Sequence, residues 1–403
     1  MRDKNTRREH SWHKICSYLG AFPSQLASEI IDVFTEEGDI IFDPFSGRGT
    51  TLLESRIANR IPIASDLNPI AIAITKAKNC SVTKENLFKR IDSLEQLFDL
   101  NLYFSLASIQ SKDIQLIFHK KTLAQLCYLQ QKLVDSDDQE DIVLTAAILG
   151  ILHGGERKDG SSIYASMAMP NTFSMSPSYL KRFAELNNLY KKERNVFELL
   201  KEKIKRMYIN FYDIHGNGIV IEEDVKKISL NKKISNYKGK VKLILTSPPY
   251  LSVLNYAKQN WIRMWFLKKD VDAISKILDD KLNLLNSIEF LEKVTEQLYE
   301  FISEDGIIIY VIGDVKNYNS KTISPARELI KRFHMKNQFE YIGCLNDFCP
   351  NNLKMTKIWK DHKGEATNID RILVLSKSKP VIEKDKIDID AIQEYAINFA
   401  GIN

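Results

Sequence analysis

The stretch VKLILTSPPYLSVLNY, Val241 to Tyr256, limits what this chain can fold into more than any other. Leu243-Ile244-Leu245 is an apolar run of the length and character of a buried strand. Two prolines, Pro248 and Pro249, stop it. Each lacks an N–H and has a fixed φ, so neither can continue a central strand. The chain therefore leaves a sheet here in a stiff, extended turn. The Ser247 hydroxyl, two outward carbonyls and the Tyr250 ring are held at the strand's carboxyl end, where open α/β sheets receive ligands.

That group matches one chemistry. An exocyclic amine on a nucleobase is a poor nucleophile, because its lone pair is delocalised into the ring. Two acceptors close to its hydrogens draw the nitrogen toward tetrahedral geometry and free the lone pair. The Ser247 hydroxyl and the Pro248 carbonyl are candidate acceptors, and the Tyr250 ring is a platform for a base taken out of its stack. The stiffness of Pro248-Pro249 supplies preorganisation. A strand-ending turn without chemistry fits the same residues.

The chain has 403 residues, enough for a sizeable core, and its 44% hydrophobic and 27% charged content is that of an ordinary globular protein. A formal net charge of +5 permits nucleic acid as a partner without requiring it. The five cysteines, Cys16, Cys80, Cys127, Cys344 and Cys349, are scattered, which argues against a zinc site and for a reducing cytoplasm. No apolar segment follows the charged start from Arg2 to Arg8, so no signal peptide is expected. The longest apolar run, Ile142 to Leu152, is too short to span a bilayer.

In chain order, a basic arm precedes an amphipathic helix that opens near Pro23 and Ser24 and stops at Gly38. Ile40 to Phe42 is a buried strand ending in Asp43; Gly47 and Gly49 then turn the chain into a helix. This turn lacks the Gly-Lys-Ser/Thr of a phosphate loop and is not the full dinucleotide fingerprint. An acid at the strand end suits a ligand with an amino group. A plain strand-to-helix turn is the alternative. Ile61 to Leu67 is a second short strand, ending in Asp66, an acid placed to hold both hydroxyls of a ribose or to cap the helix from Pro69 to Lys78.

From about Ala77 to Met207 long helical patterns dominate: Leu87 to Phe98, Leu116 to Leu133, Ile142 to Leu152 and Tyr179 to Tyr208. The strand–helix alternation resumes only afterwards, so this is an inserted helical subdomain. Its polar loops, His153 to Ser162 and Met169 to Tyr179, can touch DNA or simply connect helices. Gly218 to Val225 is a third strand ending in Glu222, Glu223 and Asp224. Lys226 to Lys242 carries seven lysines and no acid, either a phosphate-neutralising run beside the active edge or a solvated linker. Ile307 to Gly313 is a further strand, and Phe339 to Leu345 with Ile372 to Leu375 form an antiparallel pair. The loop between them, with Lys354, Lys357, Trp359 and Lys360, is a second candidate DNA contact.

DPFSGRGT (Asp43 to Thr50), SDLNP (Ser65 to Pro69) and TSPPY (Thr246 to Tyr250) together resemble the DNA amino-methyltransferases that use S-adenosylmethionine. The Ser-Pro-Pro-Tyr form resembles the cytosine-N4 branch; the adenine-N6 branch more often has Asp or Asn before the prolines. His13 to Ala27 resembles that family's lead-in, which closes over the methionine end of the cofactor. The resemblance implies an α/β, Rossmann-like class I methyltransferase fold: seven strands, six parallel and one reversed, with helices on both faces. It implies that Phe22, Pro23, Asp43, Pro44, Phe45, Gly47, Gly49, Thr50, Asp66, Asn68 and Asp224 bind the cofactor. Asp43 and the glycine turn would hold its methionine part, Asp66 its ribose, and Asp224, or Glu223, its adenine amine. Ser247, Pro248, Pro249 and Tyr250 would grip a base flipped from double-stranded DNA.

The domains expected are an arm and cofactor half over 1–76, a helical insertion with target recognition over 77–210, a catalytic half over 211–380 and a tail over 381–403. The expected reaction is direct transfer to the N4 amine of cytosine, without metal or covalent enzyme intermediate, in a restriction-modification system with a cognate endonuclease. Methyltransferases acting on carbon-5 of cytosine need a cysteine after proline, whereas here Cys349 precedes Pro350. Adenine-N6 methylation of DNA, methylation of an RNA base amine and a non-catalytic DNA-binding subunit are the alternatives.

Overall fold

The computed structural model describes residues 9–18, 20, 23–169, 174–249, 256–278, 284–316, 322–348, 365–382 and 387–402. Outside them lie two of the residues assigned above to the site, Phe22 and Tyr250, together with Cys349, the arm to Arg8 and the loop around Trp359.

Eight strands form one sheet: β1 (Ile40–Asp43), β2 (Ile61–Asp66), β3 (Ile219–Glu222), β4 (Val241–Thr246), β5 (Ile302–Lys316), β6 (Thr322–Ile323), β7 (Tyr341–Phe348) and β8 (Glu365–Ser376). Their order is β3-β2-β1-β4-β5-β8-β7, with two-residue β6 pairing only with β5. Pairings from β3 through β5 are parallel, and β8 runs antiparallel to both β5 and β7. Seven strands with one reversed form the Rossmann-like class I methyltransferase sheet. Parallel strands need both faces covered. Alternation along each strand does this: Ile41, Leu243, Leu245 and Ile309 pack against the helix Ser24–Phe34. Phe42, Ile244, Ile308 and Tyr310 meet the helices Leu284–Tyr299 and Pro325–Lys336 on the other face.

Between β2 and β3 the chain is helical, from Lys84–Gln96 to Val196–Met207. These helices share one core with Trp12, Ile15 and Cys16 of the lead-in, with Ile70, Ile74 and Ala77, and with Ile262, Met264 and Phe266 beyond the double proline. Two helical patterns from the sequence are broken. Leu116 to Leu133 splits at Phe118 and His119 into Lys112–Ile117 and Lys120–Leu133, and Leu100–Ser108 forms a separate helix. Tyr179 to Tyr208 splits into Pro177–Leu186 and Val196–Met207, because Asn188 takes φ +49° and ends the first turn set. Arg56, fully buried, ties the insertion's start to its end: it donates to the carbonyls of Lys78, Cys80, His215 and Gly216.

The lysine run does not gather at one edge. In a parallel sheet, the segment leading into a strand must end at that strand's amino edge. Lys238 and Lys242 sit there, paired with Glu300 and Asp305 at 2.6 and 2.5 Å, so they lie away from Ser247. Lys226 and Lys227 stay near the carboxyl end of β3, in the short helix that follows it, and Asn231, before Lys232 and Lys233, is bonded back to Glu223 there.

Candidate active site

β1 and β4 are adjacent and parallel, so Asp43 and Ser247 leave the sheet at the same edge. A side-chain bond fixes this: the Thr246 hydroxyl donates to Asp43 Oδ1 at 2.6 Å, and the Phe45 N–H reaches the same oxygen at 3.2 Å. Asp43 is 1% exposed, and burial raises its pKa to about 7 despite the bond from Thr246. Ser247 and Pro249 are half-buried and Pro248 is buried. The Ser247 Oγ is enclosed and has no hydrogen-bond partner among the described residues.

The turn after β1 is built for close approach. Gly47 and Gly49 have φ of +49° and +69°, the left-handed region in which a side chain is strained. A Cβ at Gly49 would also lie 3.0 Å from Thr75 Oγ1 and 3.3 Å from its Cα, so helix packing independently requires glycine there. Pro44 is buried, Phe45 tilts against Phe290 at 5.9 Å, and Thr50 Oγ1 accepts from Arg48 Nε at 3.1 Å. Pro23 begins the helix Ser24–Phe34 as its N-cap.

Asp66 joins the turn to β2. Its Oδ2 accepts from the Gly47 N–H at 2.8 Å and its Oδ1 from the Asn68 N–H at 2.8 Å. Burial raises its pKa to about 6, although those backbone bonds favour the charged form. The helix Pro69–Asn79 is capped by Asn68, which accepts from the Ile70 N–H, and not by Asp66. The Leu67 N–H adds a third backbone bond to this carboxylate, so of the roughly four acceptor sites a carboxylate offers about one is left open. Asp224 follows β3, paired in parallel with β2, and caps a short helix by accepting from the Lys226 N–H at 3.0 Å. Glu223 holds Asn231 at 3.0 Å.

Tyr18 was not singled out from the sequence. Its ring covers Gly47, 3.4 Å from where a Cβ would stand, and its hydroxyl accepts from Asn68 Nδ2 at 3.0 Å. Only its position in the lead-in signalled it. The lead-in is pinned by His13, whose Nε2 lies 2.6 Å from Glu54 Oε1, while Lys78 Nζ is 3.5 Å from Nδ1. Burial, then the charge of Lys78, holds His13 well below its ordinary pKa. The neutral ring thus donates to Glu54 and accepts from Lys78.

These residues fit S-adenosylmethionine. A left-handed glycine turn runs close against Tyr18 and Thr75, a buried acid ends β1, and a second acid, whose Oδ2 holds the Gly47 N–H, ends β2. Among the described residues, no three His, Cys, Asp or Glu side chains are grouped to hold a metal ion, and no helix is long and apolar enough to cross a membrane. Cys16, Cys80, Cys127 and Cys344 are buried free thiols.

A family model described as DNA methylase, N6/N4 type, matches residues 2–77, the lead-in, β1, β2 and the helix after it. A type II methyltransferase of Methanocaldococcus jannaschii, M.MjaII, is 22% identical over 76% of this chain and 72% of its own length. Another from Kocuria varians, M.MvaI, is 20% identical over 88% of this chain and 76% of its own. Among solved structures, the rRNA methyltransferase aviRa of Streptomyces viridochromogenes aligns at 11% identity over 92% of this chain and 94% of that one, with a TM-score of 0.32, too slight to weigh. Over residues 2–77, and along most of the length of the two curated relatives, this chain is similar to the N6/N4 DNA methyltransferases.

Proposed function

We propose that the protein methylates the exocyclic N4 amine of cytosine at a specific site in double-stranded DNA. The observation that carries this reading is the enclosed, unpartnered Ser247 Oγ at the carboxyl edge of β4, beside an acid-and-glycine cradle. A buried hydroxyl left without a partner costs roughly 1–3 kcal/mol, so a partner that arrives with the substrate is the economical explanation. A base amine is such a partner.

Bound S-adenosylmethionine supplies an electrophilic methyl group on a sulfonium. Ser247 Oγ and the Pro248 carbonyl hold the two amine hydrogens and turn the nitrogen lone pair toward that methyl. The cofactor would supply the methyl group by in-line displacement at its sulfonium, and the amine's surplus proton would pass to solvent. Orientation of nucleophile and electrophile supplies most of the rate. Asp43 and the Gly47–Gly49 turn hold the methionine end, with Pro44, Phe45 and Thr50 shaping the turn. Asp66 takes the ribose, and Asp224 takes the adenine amine. Target recognition falls to the helical insertion or to the loop around Trp359. The type II naming of both relatives supports action within a restriction-modification system; a cognate endonuclease and a cytoplasmic setting belong to the same reading.

The test is chemical. DNA from a host expressing this chain is digested to nucleosides, which are weighed. N4-methylcytosine is expected; N6-methyladenine would move the enzyme to the other branch, and unmodified DNA would sink the reading.

A pH dependence follows from the two raised carboxyls. In the free protein the folded state keeps protons that the unfolded chain has released. Stability from Asp43 is therefore present at low pH and lost as pH climbs from about 4 through about 7, and that from Asp66 as pH climbs through about 6. A cationic methionine amine at Asp43 and hydroxyl donors at Asp66 favour the charged forms. Cofactor affinity should thus fall on acidification below about pH 7, approaching roughly tenfold per pH unit for each group. Calorimetry at pH 6.5 in two buffers of different ionisation enthalpy should show proton release on binding.

A further inference from the structure

Tyr18 does more than cover Gly47. Its ring stacks on Tyr256, with centroids 5.8 Å apart and planes inclined by 21°. Tyr256 is the first described residue after the Pro-Pro-Tyr turn, and Tyr18 belongs to the lead-in. One aromatic pair therefore joins the residues around Gly47 and Asn68 to the segment that begins at Tyr256 and runs into the helix Trp261–Phe266.

Both partners are held from behind. Ser17 Oγ accepts from Arg263 Nη2 at 2.8 Å, and the carbonyl of Lys14 accepts from Lys203 Nζ at 2.7 Å. On the other side, Asn260 Nδ2 donates to the Tyr256 carbonyl at 2.8 Å. The Arg263 guanidinium also binds Asn260 Oδ1 at 2.6 Å and the Leu149 carbonyl at 3.1 Å. Arg263 is 2% exposed, so one buried cation positions both rings and fastens them to the insertion.

We propose that Tyr18 and Tyr256 are positioning residues with separate duties, Tyr18 toward the cofactor and Tyr256 toward placement of the target base. Tyr18 fixes Asn68 and Gly47 through its hydroxyl and ring; Tyr256, eight residues beyond Pro248, is anchored by its stack on Tyr18 and by Asn260. This rests on the proposed base methylation, and the two halves of the pair separate by experiment.

Three variants of the full-length protein are compared with wild type: Tyr18→Phe, Tyr256→Leu and Tyr256→Phe. S-adenosylmethionine affinity is read by calorimetry without DNA, and single-turnover methyl transfer to unmethylated DNA is read at saturating cofactor. Tyr18→Phe keeps the stack and loses the acceptor for Asn68, so affinity should fall about 2- to 10-fold with the transfer rate unchanged. Tyr256→Leu should leave affinity unchanged and slow transfer about 3- to 10-fold, the worth of an aromatic pair. Tyr256→Phe keeps the ring and should restore the rate. An equal loss of affinity and rate in Tyr256→Leu, or an unchanged rate, overturns the assignment of Tyr256 to base placement. A wild-type protein that binds cofactor but transfers nothing to DNA would refute the proposed function instead, while the Tyr18→Phe affinity would still report on the cradle.

Discussion

Ser247→Ala should slow methyl transfer to DNA by about 100- to 1,000-fold while S-adenosylmethionine affinity stays within about twofold, the range found when one preorganised polar group is removed from a reacting centre. The reasoning is geometric. Ser247 lies directly after β4, whose last residue, Thr246, is bonded to Asp43, so its backbone is held whatever its side chain. Its hydroxyl makes no bond that the free protein needs. Alanine therefore removes an acceptor only when the base amine is present, and the cost falls on the chemical step. Thermal unfolding should show no loss, since an enclosed polar atom without a partner is replaced by a methyl group. Equal loss of transfer and cofactor affinity would mean that Ser247 faces the cofactor and that the base is gripped elsewhere.

Asp66→Ala should act on the other quantity. A hydrogen bond from a ribose hydroxyl to a charged acceptor is worth about 1.5–3 kcal/mol, and its loss should weaken S-adenosylmethionine about 10- to 100-fold. The same substitution frees the N–H groups of Gly47 and Asn68, which Asp66 holds at 2.8 Å each, so the glycine turn loosens as well. Asp66→Asn separates the two contributions. An amide presents one oxygen and one NH₂, so it can keep one backbone N–H but must set its own donor against the other. Its affinity should be at least as poor as that of the alanine variant, although the side chain has the same shape. Transfer at saturating cofactor should change little in either variant. A cofactor affinity unmoved by both would take Asp66 out of the site.

The strands and the edge at which they end were legible in the sequence because each carries its own signal. Ile40 to Phe42, Ile61 to Ala64 and Leu243 to Leu245 are short apolar runs, each followed by residues that cannot extend a strand. In a parallel sheet such ends share one edge, so the sequence alone puts Asp43, Asp66 and Ser247 at the same edge. The helices of the insertion were less legible, because their breaks lie at ordinary residues: His119 starts a new helix by capping it, and Asn188 ends one by taking a left-handed turn.

What the sequence alone determined is local: strand ends, glycine turns, helix caps, and the residue types gathered at them. Tertiary structure decided everything that depends on chain crossing space. It took Lys238 and Lys242 to the edge opposite Ser247, since a crossover between parallel strands must traverse the sheet. It also brought Tyr18 onto Tyr256 and set Thr246 against Asp43, pairs far apart along the chain. Periodicity reports which face of an element is buried, but carries no information about which distant side chain will meet it there.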